Sequence, residues 1–357
     1  MSRFEAAQRT TGYSGTARST RAAADGQALE RARSAGIHPI AVPTPFQVGR
    51  VNAYLIEDEP LTLIDSGPNS AQALDELEQA LKGLGHTVEE LELLVVSHQH
   101  IDHFGLAAVL ARRSGAEVAA LDRLAPYLRD FSREAKLDDA YAEQIMLRHG
   151  IHHDVATALR SVSESFRGWG SAVSVTRPLI PGQELRLRDR TLRVLHRPGH
   201  SPSDTVFVDE QRAIMLAADH LIAHISANPL ITRPLDSSET AAAEPRPQAL
   251  VTYIESLACT GDMELSLVLS GHGGPITDHR ALIDERLRLH ARRASKIRGL
   301  LERPLTAHEV AQRLWGNVAV TQAYLTLSEV LGHMDLLTNE GTVVVSERDG
   351  VVRFGAC

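Results

Sequence analysis

From Ile40 onward the chain alternates short apolar runs with turns marked by glycine, proline or paired charges, and amphipathic stretches fall between them. Residues 40–43, 51–56 and 61–64 read as strands, with turns at Gly49-Arg50 and at 58–60. Leu74, Leu77, Leu81 and Leu84 recur at helical spacing, which predicts a helix over 71–84 with one apolar face. The same reading gives a strand at 91–96, a helix at 106–113 and a strand at 117–121. Residues 122–168 read as helices carrying Tyr127, Leu128, Phe131, Tyr141, Met146 and Phe166. A hairpin over 184–187 and 191–195, turning at Asp189-Arg190, opens a second strand-rich half. Strands at 204–208 and 213–217, a helix at 246–258, a strand at 265–269 and a charged helix at 280–301 complete it. The pattern by itself gives an α/β protein.

The two ends differ. Residues 1–36 lack periodicity and read as a loosely structured tail with one helix near 27–34. After Pro304, Thr306-Ala307-His308-Glu309 has capping-box spacing and opens a helix to Trp315. A second helix follows at about 321–337. Residues 342–345 and 351–354 then form a hairpin through Arg348-Asp349-Gly350.

Composition narrows the class. The 357 residues are 43% hydrophobic, enough for a full core and for two domains. The net charge of -8 argues against a general polyanion binder. Cys259 and Cys357 are the only cysteines, so there is no disulfide framework, and a reducing, cytoplasmic location is expected. No apolar run approaches a membrane span and no signal-peptide core is seen, so no membrane partner is expected.

The chemistry sits at strand ends. The apolar Leu94-Val95-Val96 breaks into Ser97-His98-Gln99-His100-Ile101-Asp102-His103, four metal-capable side chains in six residues. A buried strand end tolerates such a set only if something charged satisfies it. Imidazoles at i and i+2 point the same way from extended backbone, and Asp102 and His103 follow from the turn. Arg197-Pro198-Gly199-His200, Ala217-Ala218-Asp219-His220 and Ser270-Gly271-His272 each place another ligand type after an apolar run.

This ordered set, with Asp65 in Leu63-Ile64-Asp65-Ser66-Gly67, resembles the metallo-β-lactamase-fold hydrolase superfamily over about residues 38–280. The resemblance implies an αββα sandwich over 37–280 with a helical lid insertion at about 122–168. The C-terminal part, 281–357, resembles the linker helix and winged helix of a glyoxalase II-like subgroup. One departure is Ala218, where many members have glycine.

The resemblance assigns His98, His100 and His200 to one divalent metal ion. It assigns Asp102, His103 and His272 to another, with Asp219 bridging. Nitrogen and oxygen donors without thiolate suit zinc, while iron and manganese accept the same donors. Two such ions acidify a shared water, and the hydroxide is the nucleophile. Asp102 would also orient it and carry its proton; Asp65 would brace the ligand loop. His224 and Tyr127 are pocket candidates. His149, His152 and His153 read as a solvated helix end rather than a metal site.

The bridging aspartate separates this chain from true β-lactamases of the fold and places it with thioesterases, lactonases and phosphodiesterases. The expected substrate is a small acyl compound: a thioester, ester or lactone. The alternative is a phosphodiesterase or endoribonuclease, with RNA as partner. It draws on the winged helix and on Arg286, Arg288, Arg292, Arg293, Lys296 and Arg298. An iron persulfide dioxygenase is disfavoured by the complete ligand set. No DNA partner is expected, because 321–337 has no lysine or arginine. The winged helix is expected to pack on the hydrolase domain or on a second subunit of a homo-oligomer.

Overall fold

The computed structural model describes residues 15–227, 229–235 and 246–357. The first fourteen residues of the expected tail lie outside them. The rest of that tail is a helix, α1 (Gly15–Ser34), much longer than the 27–34 segment expected. It is not loose: Ala28 and Ala32 are buried, and Arg31 donates to the Ser266 carbonyl.

Six strands form the first sheet: β1 (Ile37–Val42), β2 (Val51–Ile56), β3 (Thr62–Ile64), β4 (Leu93–Val96), β5 (Glu117–Leu121) and β6 (Arg177–Leu179). They lie in chain order, antiparallel from β1 to β3 and parallel from β3 to β6. The short β6 escaped sequence reading because Pro178 sits in it; proline is tolerated on an edge strand. The second sheet holds β7 (Glu184–Arg186), β8 (Thr191–His196), β9 (Thr205–Asp209), β10 (Ile214–Ala218) and β11 (Leu267–Ser270). Its order is β11-β10-β9-β8-β7, and only β10 and β11 are parallel.

The sheets stack face to face. Tyr54, Ile56, Ile64, Leu93 and Val95 of the first meet Leu192, Val194, Phe207, Leu216 and Leu269 of the second. Alternate residues of the same strands, Leu94 and Val96 among them, turn outward onto α2 (Ala71–Gly83), α3 (Ile101–Phe104) and α4 (Ala107–Ser114). That double coverage explains why β4 is apolar at every position.

The 122–168 insertion folds into α5 (Ala125–Arg129), α6 (Phe131–Arg148) and α7 (His153–Phe166). On the outer face of the second sheet, α8 (Ala249–Gly261) and α9 (His279–Arg298) complete the outer layer. The C-terminal part is α10 (Ala307–Trp315), α11 (Val318–Thr321), α12 (Ala323–Asn339) and a hairpin of β12 (Val343–Arg348) and β13 (Val351–Ala356). Both capping-box bonds at Thr306 and Glu309 are present. Tyr141, Ile145, Met146, Ile151 and Ala156 of the insertion share one core with Ala323, Leu327, Leu331, Met334 and Phe354. Much of the insertion's apolar surface therefore faces the C-terminal helices. His149 is no solvated helix end: it is buried with its ring stacked on Phe354, while His152 and His153 are exposed.

Candidate active site

Parallel pairing of β3 with β4 and of β10 with β11 brings the segments after these strands to one edge. His98, His100, Asp102 and His103 follow β4, His200 follows β8, Asp219 follows β10 and His272 follows β11. All seven converge. His98 Nε2 and His200 Nε2 lie 3.1 and 3.0 Å from His100 Nδ1. His103 Nε2 is 3.4 Å from Asp219 Oδ1, and His272 Nε2 is 3.4 Å from Asp102 Oδ2. Asp219 Oδ2 lies 3.5 Å from both His200 Nε2 and His272 Nε2.

The backbone is bent to achieve this. Asp65 and Ala218 adopt left-handed conformations, φ 60° and 43°. At Ala218 the β10–β11 register slips, which turns Asp219 into the cluster. Gly271 leaves room for it: a Cβ there would lie 2.3 Å from Asp219 Oδ1.

Hydrogen bonds aim the rings. Asp65 Oδ2 accepts from His103 Nδ1 at 2.7 Å and from Ser97 Oγ at 2.8 Å, and Ser97 Oγ in turn meets His98 Nδ1 at 3.0 Å. His272 Nδ1 donates to the Arg50 carbonyl at 2.9 Å. With one nitrogen anchored, each ring turns its other nitrogen, lone pair outward, into the cluster. Sequence reasoning missed several residues that hold these loops. Asn52 donates through Nδ2 to the carbonyls of Ser270 and Gly273, and Tyr54 Oη donates to Ser270 at 2.6 Å. Ser203 Oγ pairs with both the backbone nitrogen and side chain of Gln99. The available signal was Asn52, a polar residue inside an apolar run.

The cluster calls for cations. His103 Nε2, His272 Nε2 and Asp219 Oδ1 are buried without a hydrogen-bond partner. Burial holds His98 well below the ordinary histidine range and His100 down to about 3. At His103 and His272 burial is again the largest single effect, but the surrounding carboxylates together outweigh it, Asp219 with Asp65 and Asp102 at His103 and Asp219 with Asp102 at His272. His103 is held well above its usual value and His272 at about 10. Against the burial penalty, the nearby imidazoles of His272 and His103 hold the Asp219 carboxyl well below the usual carboxylate range. Donors sharing a tetrahedral zinc at about 2.0–2.1 Å lie about 3.3–3.4 Å apart, close to the spacings seen. The residues fit divalent metal ions.

A sequence profile of the metallo-beta-lactamase superfamily matches residues 47–272. The chain belongs to this superfamily. The probable metallo-hydrolase YqjP of Bacillus subtilis is 32% identical over 316 residues, 88% of this chain and 96% of that protein. A beta-lactamase domain protein from Burkholderia ambifaria superposes with a TM-score of 0.77 at 26% identity, over 90% of this chain and 92% of the other. An atrochrysone carboxyl ACP thioesterase of Aspergillus fumigatus is 25% identical over 121 residues, 34% of this chain and 24% of that protein. This metallo-beta-lactamase superfamily member is a metal-dependent hydrolase.

The two pocket candidates differ. His224 is exposed, and its ring lies against Gly273, one residue from His272. Tyr127 faces no open wall. It is buried beside Phe131, and its hydroxyl pairs with Asp138. Both ends of the insertion near the candidate metal loops: Phe131 packs edge-on against Phe104, next to His103, Phe166 packs on Phe46 of the β1–β2 turn, and just past the insertion the Trp169 carbonyl meets Asn69. Among the described residues no helix is long and apolar enough to cross a membrane.

Proposed function

We propose that the chain is a dinuclear hydrolase of a small acyl substrate, a thioester, ester or lactone. The observation that carries this is Asp219, whose two oxygens reach His103 on one side and His200 and His272 on the other. His98, His100 and His200 would hold one ion, Asp102, His103 and His272 the second, with zinc the best match to these donors. Bound there, the pair would supply an acidified water and a Lewis acid for the scissile carbonyl. Asp102, buried beside His272, is placed to accept that water's proton and pass it to the leaving group. Asp65 fixes His103 and, through Ser97, His98. His224 lies beside the His272 loop, where the substrate's polar part would pass.

The insertion acts as a lid through its Phe166–Trp169 end, and the C-terminal helices and hairpin form a winged helix whose role is packing. The thioesterase relative supports an acyl substrate. A phosphodiesterase is the second reading: Arg288, Arg292 and Lys296 make an exposed i, i+4, i+8 row along α9. Metal analysis of the purified protein, with parallel assays of thioesters, lactones and an RNA oligomer, tests both. Two ions per chain with thioester or lactone turnover is expected. Metal-dependent RNA cleavage beside no ester hydrolysis would transfer the case to the second reading.

A further inference from the structure

Among the described residues one more set of ligand-type side chains converges, away from the active site: His290 on α9 with Glu329 and His333 on α12. Their donor atoms all lie within 4.8 Å of one another. We propose that these three residues bind a further divalent transition-metal ion of the zinc class, which staples the C-terminal helices to the catalytic domain.

Glu329 and His333 are four residues apart on α12 and so share one face, and α9 packs across it. His333 Nδ1 donates to the Glu329 carbonyl at 2.6 Å, which puts the proton there and leaves Nε2 bare. That Nε2 lies 3.3 Å from His290 Nδ1, while the other nitrogen of His290 lies 3.5 Å from Ser226 Oγ. Each ring anchors one nitrogen on a polar atom and turns the other toward a shared point, as metal-bound imidazoles do. The 3.3 Å spacing matches two donors on one tetrahedral zinc. The 5.3 Å ring separation falls inside the 4.1 to 5.5 Å seen among the active-site histidines.

The surroundings suit such an ion. His333 is fully buried and His290 nearly so, and burial keeps both rings neutral, pulled down to about 4, with lone pairs available. Two imidazoles and one carboxylate favour zinc-like cations over calcium or magnesium, which prefer oxygen alone. Neighbouring cations are engaged elsewhere. Arg286 donates to the carbonyls of Ile222, Ala223 and Ile225, and Arg293 lies over the Trp315 ring, reaching Glu329 only at 3.9 Å. Ser226 follows Asp219 by seven residues, so the ion would also steady the segment leaving the active site.

The test is anomalous scattering at the zinc edge from crystals of the zinc-loaded full-length protein, together with zinc counted per chain. The expected result is a peak about 2.0–2.1 Å from both His290 Nδ1 and His333 Nε2. In addition, the conservative Glu329→Gln should weaken one zinc equivalent, and His290→Gln should remove it, with the active-site ions unchanged. No peak between the two histidines, with equal zinc content in wild type and His290→Gln, would mean that His290 Nδ1 simply donates to His333 Nε2, and the proposal fails. Peaks at the active-site cluster are read separately, so each site is judged independently of the other.

Discussion

Asp65 Oδ2 lies 2.7 Å from His103 Nδ1, and both side chains are almost completely buried. The carboxylate also takes Ser97 Oγ and the Ser97 backbone nitrogen, so one residue sets the aim of His103 and, through Ser97, of His98. Asp65→Asn keeps a residue type that tolerates its φ of 60° and removes only the charge. We expect a folded protein whose activity falls about 10- to 100-fold, as for other residues that orient metal ligands. Steady-state kinetics beside plasma-emission metal analysis checks this. An unchanged kcat would show that Asp65 is only a turn residue.

Asp219→Ala should weaken both ion sites at once, because its carboxylate reaches His200 of one triad and His103 and His272 of the other. The expected outcome is substoichiometric metal and an activity loss on the order of 10²-fold or more, since several kcal/mol of charge stabilisation is involved. Retention of two tightly held ions per chain would remove the bridging role.

Ala218 holds a left-handed conformation where a glycine would carry no Cβ penalty. Ala218→Gly should raise stability by about 1 kcal/mol with activity preserved, read as a shift of the denaturant midpoint. A loss of activity with unchanged metal content would show that the alanine methyl group shapes the pocket.

His149 is buried against Phe354, and burial lowers it to about 3. A histidine depressed in the fold keeps its stabilising contribution above the unfolded value of ~6.5 and loses it as pH falls toward 3. His149→Phe retains a ring on Phe354 and removes the titration. Stability should then fall less steeply below pH ~6.5, by up to about 1.4 kcal/mol per pH unit. Identical pH profiles of the unfolding free energy for the two proteins would refute the assignment.

The C-terminal helices should not bind duplex DNA. Most of α12 is buried, from Thr326 to Asp335 nearly without break, and it carries no lysine or arginine. Arg313, Arg348 and Arg353 stand against Glu309, Glu329, Asp335, Glu340, Glu347 and Asp349. Fluorescence anisotropy with a labelled duplex should show no salt-dependent binding to these helices, because phosphate contacts dominate such affinity. Binding that strengthens at low salt and is lost on substituting α12 residues would overturn this.

The sequence alone singled out the seven side chains that converge at the candidate active site and their order along the chain. His98, His100, Asp102, His103, His200, Asp219 and His272 each end or follow a short apolar run. A strand that enters a core and stops at its rim leaves such a record in local residue order. It also located the helix expected over 71–84, observed as Ala71–Gly83, and the capping box at Thr306, because periodicity and capping act within a few residues. Tertiary structure decided what covers each face. Periodicity marks an apolar side without naming the partner that buries it, so 122–168 read as a lid, while the structure packs its Tyr141, Ile145 and Met146 on the C-terminal helices. For the same reason Asn52 and Tyr54 gave little warning that they pin the His272 loop across more than two hundred residues. Nor did His290 and His333, forty-three residues apart, show that their rings meet. Those contacts exist only once two sheets and their helices have closed on one another.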